Sequence, residues 1–420
     1  MRRISAVSLV LASTVFARDP VFVVHTIDAS TKAEGVTVLD INGDGRLDIT
    51  CGAYWYEQPK VAWSKRPEER RKFNPRYIAR FIRDPKRRAA YSWKKHHFRL
   101  TAPNRPPDKQ NFGFYDNDYG EFLMDVNGDG RLDLISGGWF EKGIWWFENP
   151  GPGKKGLWKA HQIGPDGATE GLIVVDVNGD GRKDVIPQHY GPQGIWWYEI
   201  KPDLTVIKHM VGRKGDEHGI GFGDIDGDGR GDIVTIRGWY KAPKDIEKGK
   251  WEWMQEPGFN ERESLGHAGI PILVYDVNED GLNDLIYGLG HNYGVFWLEQ
   301  VVKDGKRFWR KHLIDDTWSQ AHTLALADIN ADGRIDIVTG KRLYGHAGAD
   351  PGAHEPQGVY WYEICQKGKS FRKHVIVYNA GVGVGAQIRV VDIDGDGDLD
   401  IVCPGQGGLY VLENRGTKKG

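Results

Sequence analysis

The chain has 420 residues, a formal net charge of −2, and 16 Trp, 17 Tyr and 56 Gly. So even a balance excludes the strong basic field that draws nucleic acid, and the aromatic and glycine content suits an all-β protein rich in turns. Three cysteines, an odd number, make no disulfide framework.

The chain opens with MRRISAVSLVLASTVFA. Two arginines, a short apolar run and a small residue at Ala17 are the pattern of a signal peptide over residues 1–17. The mature chain is then expected from Arg18, secreted to the extracellular space or periplasm. No later stretch is apolar for long enough to span a membrane. VFVVHTI, residues 21–27, is an isolated strand with no partner nearby in the sequence.

DINGDGRLD follows at 40–48 and returns at 125, 176, 224, 276, 328 and 392. Most copies are 48 to 52 residues apart, with gaps of 85 after the first and 64 after the sixth. Carboxylates crowded into nine residues repel one another, and a hard cation such as Ca²⁺ is the usual reason to collect them. The loop lacks the terminal bidentate Glu of an EF-hand, and strand patterns flank it. A repeat near fifty residues is the period of propeller blades.

One repeat reads as four strands. In residues 171–211, GLIVV is strand A, DVIPQ after the acidic loop is strand B, IWWYEI is strand C and TVIKHMV is strand D. Strand C recurs as YWYE, WWFE, WWYE, GWYK, FWLE, YWYE and YVLE, aromatics expected to form core between blades. Strand D carries His25, His97, His161, His209, His312 and His374, with Met254 at this place in the fourth repeat. The seventh repeat ends after strand C, so residues 21–27 are expected to supply its missing strand and close the ring. The fold class is therefore all-β: a seven-bladed β-propeller of four-stranded antiparallel blades over 18–414, with a tail at 415–420. Cys51 and Cys403 fall at one place in two repeats, too far apart for a bridge, and are expected to be buried free thiols.

In these seven in-phase loops the sequence resembles the FG-GAP/VCBS repeat family of calcium-loop propellers. The resemblance implies structural Ca²⁺ held by positions one, three, five and nine of each loop and a backbone carbonyl at position seven. Those side chains are Asp40, Asn42, Asp44 and Asp48; Asp125, Asn127, Asp129 and Asp133; and Asp176, Asn178, Asp180 and Asp184. They continue with Asp224, Asp226, Asp228 and Asp232, and with Asp276, Asn278, Asp280 and Asp284. The last two sets are Asp328, Asn330, Asp332 and Asp336, and Asp392, Asp394, Asp396 and Asp400.

The histidines outside the strand-D series point to chemistry. His189, His291, His346 and His354 fall in B–C loops, and His218, His267 and His322 in D–A connections. Both kinds of connection lie on the face opposite the acidic loops. Six residues before each loop, where strand A enters the channel, stand Glu34, Tyr119, Glu170, His218, Ile270, His322 and Ala386. His218, His267 and His322 with Glu170 would suit Zn²⁺ or a similar transition metal; the alternative is a hydrogen-bonded polar rim round a wet pore.

Two inserts stand out. Residues 58–92 in the first blade hold twelve Lys or Arg and read either as a solvated decoration or as an arm for an acidic partner. Residues 341–358 form a long loop in the sixth blade on the histidine face.

This face resembles the propeller domain of the aldos-2-ulose dehydratases, in its arrangement and in the phrase HTLALADIN at 322–330. The resemblance implies a carbohydrate lyase or dehydratase working by β-elimination, without the cupin and lectin-like domains of those enzymes. His189, Tyr190, His291, Tyr293, Tyr344, His346 and His354 are the candidate acids and bases, and Arg342 and Lys341 candidate holders of an oxyanion. The competing reading is a non-catalytic carbohydrate- or protein-binding module, lectin-like or adhesive.

Overall fold

The structure, a computed structural model, describes residues 19–60, 92–106, 109, 118–140, 143–165, 167–189, 194–215, 218–259, 267–343 and 345–417. Residues 1–17, expected as a signal peptide, and most of the basic insert lie outside these residues. No helix among the described residues is long and apolar enough to cross a membrane.

Seven four-stranded antiparallel sheets are arranged as the blades of a propeller. The third blade shows the pattern: Thr169–Val175, Asp184–His189, Ile195–Ile200 and Val206–Gly212 pair in that order. In the seventh blade the fourth strand is Pro20–Asp28, from the other end of the chain. It runs antiparallel to Leu409–Thr417, with His25 opposite Val411 and Phe22 opposite Asn414. The ring closes as the sequence predicts.

The core lies between blades. Successive strand residues point to opposite faces, so paired aromatics on strand C serve both neighbours. Trp196 packs in a cluster shared with the second blade, beside Trp146 and Ile135. Trp197 packs in one shared with the fourth, beside Tyr240 and Ile220. Cys51 and Cys403 are buried free thiols.

The strand-D histidines belong to a recurring triplet. His161, His209, His312 and His374 stack on Trp146, Trp197, Trp297 and Trp361 at 3.8–4.3 Å between ring centres. In the first blade the stacked ring is His96 on Trp55, 4.1 Å away. His96, not His97, therefore holds the repeating place, and His97 instead donates to the carbonyl of Arg99. The glutamate that follows on strand C accepts from the histidine: Glu57, Glu148, Glu199 and Glu299 at 2.7–3.0 Å. In the fourth blade Met254 pairs with Trp239, and Lys241 takes the place of the glutamate, so both partners change together.

Candidate metal centre

At the acidic loops the carboxylates fold the backbone round themselves. Asp125 accepts the amides of Gly128 at 2.8 Å and Gly130 at 2.9 Å, and Asn127 accepts that of Asp129 at 3.1 Å. Gly128 and Gly130 stand at φ +73° and +82°, a left-handed turn that glycine adopts without strain. The ninth residue is a buried tether rather than a rim group. Asp133 accepts Val126 N and Asn149 N, at 3.1 and 2.7 Å, tying the loop to the end of strand C. Burial raises its carboxyl to about 6 against the pull of those two amides, with Asp129 and Asp125 adding to the rise. The same balance takes Asp48 to about 7 and Asp400 to about 8. Positions one, three and nine converge within 4.8 Å in the fourth and seventh loops, as Asp224, Asp226 and Asp232 and as Asp392, Asp394 and Asp400.

The opposite face gathers a second, different set. Glu170 opens strand A of the third blade, and His218 and His322 each stand two residues before strand A of the fourth and sixth. All three occupy the same place relative to their loops, so the repeat aims them at one point. In the fifth blade that place belongs to Ile270, and His291 fills the sector instead, from the turn between Asp284–Gly288 and Tyr293–Lys303. One ligand atom from each of Glu170, His218, His291 and His322 lies within 4.8 Å of the others. The four are 6, 2, 8 and 0 % exposed.

His218 Nε2 lies 2.5 Å from Glu170 Oε2 and 3.4 Å from His291 Nε2. The second distance is close to the edge of a tetrahedron with metal–nitrogen bonds of about 2.05 Å, roughly 3.3 Å. His291 and His322 each approach Glu170 to 4.0 Å. The far nitrogens are held: His218 Nδ1 donates to the carbonyl of Ala268 at 2.5 Å, and His291 Nδ1 to Asp350 at 2.7 Å. Such outer hydrogen bonds fix a ring so that its other nitrogen points inward. Neither nitrogen of His322 has a hydrogen-bond partner. Close glycines make room for it: a Cβ on Gly290 would stand 2.9 Å from His322 Cδ2, and one on Gly269 would meet its carbonyl at 2.4 Å.

Charge follows from the packing. Burial, then the Arg342 guanidinium, then His218 push His322 well below the usual imidazole range. Burial and His218 take His291 down to about 4. Both rings are therefore neutral near pH 7, with lone pairs to give. Glu170 sits well below the usual carboxylate range because His218, His322 and Arg342 together outweigh the burial that would raise it. Two neutral imidazoles, His218 and a carboxylate are a donor set that fits Zn²⁺.

Of the residues expected to bind metal, His267 stands outside the four. It is exposed, with its ring centre 5.7 Å from that of His218 and 5.3 Å from that of His291. His291, expected as an acid or base, is the one that joins the cluster. Its selection was not legible from register, because it enters from a B–C turn; a lone histidine between glycines in GHNYG is the only signal.

His346 stacks on His291 at 4.3 Å between ring centres and bonds Asp350 Oδ1 at 2.7 Å, with 58 % of its side chain exposed. Its backbone and that of Ala347 stand in the left-handed region, at φ 48° and 55°. Asp350 therefore bridges a buried and an exposed imidazole, a role the sequence reading did not assign. Tyr293 OH donates to Glu355 at 2.5 Å, and His354 is exposed on the same loop. Arg342 and Lys341 are each 1 % exposed. Arg342 pairs with Glu34 at 2.6 Å and Lys341 donates to Ser319 Oγ at 2.6 Å, which argues against their holding a substrate oxyanion. Tyr190, Tyr344 and the side chain of His189 lie outside the described residues.

Residues 125–186 match the family model described as an FG-GAP-like repeat. No curated protein matches the chain. Among solved structures it is similar to a luciferin-regenerating enzyme, at 11 % identity and a TM-score of 0.40, over 85 % of this chain and 94 % of that one. It is also similar to the V. cholerae biofilm matrix protein Bap1, at 12 % identity and 0.36, over 93 % and 82 %. Neither likeness bears on activity. The chain is a seven-bladed β-propeller that carries an FG-GAP-like repeat.

Proposed function

We propose that the protein is a secreted, calcium-stabilised carbohydrate lyase or dehydratase that works by metal-dependent β-elimination at the channel mouth. The observation that carries this reading is the convergence of Glu170, His218, His291 and His322, with both nitrogens of the fully buried His322 unbonded. Held by these four, a zinc-like ion would supply Lewis acidity toward a carbonyl or carboxylate oxygen of the substrate. The proton work falls to the chain's own groups. His346, with Nδ1 on Asp350, has Nε2 left to take the proton from the carbon beside the acid group. The electron pair of that bond forms the new double bond, and the leaving oxygen takes a proton from Tyr293, which stands on Glu355.

A second reading draws on one observation. All four donors are at most 8 % exposed, and closed four-ligand sets are typical of structural zinc. The same ion would then clasp blades three to six in a carbohydrate- or protein-binding module.

Metal analysis of the purified protein and of His322→Ala, with an ultraviolet assay for unsaturated product on uronate-containing glycans, separates the two. The lyase reading expects about one transition-metal ion per chain, and loss of both metal and absorbance in the variant. Bound metal without elimination, but with glycan binding, favours the clasp. Protein that takes up no transition metal on reconstitution removes both.

A further inference from the structure

The channel holds a cavity of about 200 Å³ lined by Tyr119, Phe122, Leu172, Ile270, Leu324 and Arg389, among others. Its walls are mainly aliphatic and aromatic, and Arg389 is the one charged side chain among the described residues that line it. Arg389 lies on strand A of the seventh blade, Arg389–Val391, three residues before the acidic loop.

Its partners are all uncharged. Nη1 donates to the carbonyl of Ile388 at 3.2 Å and Nη2 to that of Glu121 at 2.5 Å, and the guanidinium stands 5.1 Å over the Phe122 ring. The nearest acidic group is spoken for elsewhere. The Glu121 carboxylate turns to Arg99 at 2.7 Å, Thr50 Oγ1 at 2.5 Å and the amide of Gly52 at 2.7 Å. Gln387, the neighbouring polar group, turns its amide oxygen to Val36 N and Glu121 N and donates from Nε2 to the Glu121 carbonyl. Burial draws Arg389 down to about 10, with Glu121 opposing. Arg389 is half-buried in the cavity wall, and a partly desolvated cation with no counter-charge bonded to it is costly, a cost that an anion brought to it offsets.

We propose that the channel cavity binds a small carboxylate with an apolar body, its carboxylate on Arg389 and its body against Phe122, Leu172, Ile270 and Leu324. A guanidinium recognises a carboxylate through paired N–H groups, and Arg389 has N–H groups beyond the two that its carbonyl partners occupy. The apolar walls select against small hydrated anions. The proposal does not rest on the metal-dependent reading, since none of the four metal donors lines the cavity.

Calorimetric titration of the full chain with benzoate, benzyl alcohol and chloride tests it. Benzoate is expected to bind at least about tenfold more tightly than benzyl alcohol, the size of one charge-assisted contact. Arg389→Met should weaken benzoate by about the same factor, and Ala325→Leu, which narrows the cavity and leaves Arg389 in place, should weaken it too. Should Arg389→Met fail to fold, Ala325→Leu and the wild-type comparison still decide. Equal binding of the alcohol, unchanged affinity in either folded variant, chloride binding as tightly as benzoate, or no benzoate binding at millimolar concentration would each overturn it.

Discussion

An imidazole as buried as His322, with neither nitrogen bonded, carries a cost of about 1–3 kcal/mol for each group left unsatisfied. A cation accepting the lone pair removes that cost at one nitrogen, which is why this residue weighs most in the metal reading. Asp315 shows the opposite arrangement. Its carboxylate accepts from Tyr362 OH at 2.6 Å, Trp318 Nε1 at 3.0 Å and the hydroxyl and amide of Thr317, and pairs with Lys373 at 2.7 Å. Burial alone would raise this carboxyl, but the bonds from Lys373, Tyr362 and Thr317 prevail and hold it at about 2. That is below the value of about 3.9 in an unfolded chain, so between these two pH values the unfolded state binds more protons. The stabilisation is full above about pH 4 and is lost as pH falls toward 2. Asp315→Asn should therefore cost about 2 kcal/mol at pH 7, with the gap to wild type narrowing near pH 3 in urea melts. A gap independent of pH would mean that lost packing, not lost charge, is responsible.

At the scale of the blade, the strand-D histidine, strand-C tryptophan and following glutamate act as one unit, and the fourth blade shows what happens when it is rewritten. Lys241 replaces the glutamate, and its ammonium pairs with Asp226 and, at 3.2 Å, with Asp228 of the fourth acidic loop. An internal cation there already offsets part of the charge of two carboxylates. On the calcium proposal the fourth loop then takes the ion more weakly than its counterparts, and Lys241→Met should enlarge the rise in melting temperature that calcium produces. An unchanged calcium response and ion count in that variant would show that the ammonium does not compete. The alternation of the repeat made the histidine and tryptophan legible in the sequence, as recurring letters at a fixed place. The glutamate recurs as regularly, yet its bond to the histidine depends on strand pairing, which letters alone do not display. The same limit misassigned His97: two adjacent histidines in KKHH fit the pattern equally, and only the pairing of His96 with Trp55 separates them.

For the whole molecule, seven in-phase acidic loops fixed the number of blades, and the strand left over at the N-terminus, matched by the one missing from the last repeat, fixed how the ring closes. The channel-mouth site was legible only where it follows the repeat. Glu170, His218 and His322 depart from the consensus at one equivalent position, while His291 and Asp350 arrive from loops whose path the repeat does not set. The closing strand itself is held by more than its ladder. His25 is buried and bonds Glu413 at 2.6 Å, and Phe22 packs in the cluster between the sixth and seventh blades. Removing residues 19–28, the strand that joins last blade to first, would strip the edge of Leu409–Thr417 and bare a row of unpaired backbone groups there. The truncated chain is expected to melt well below the full one and to associate through that edge, as light scattering would report. A synthetic peptide of residues 19–28 should restore monomer and melting temperature by adding back the missing strand, because main-chain pairing supplies much of the affinity in strand addition. If the truncated chain instead melts where the full chain does, the ring does not depend on its N-terminal strand for closure.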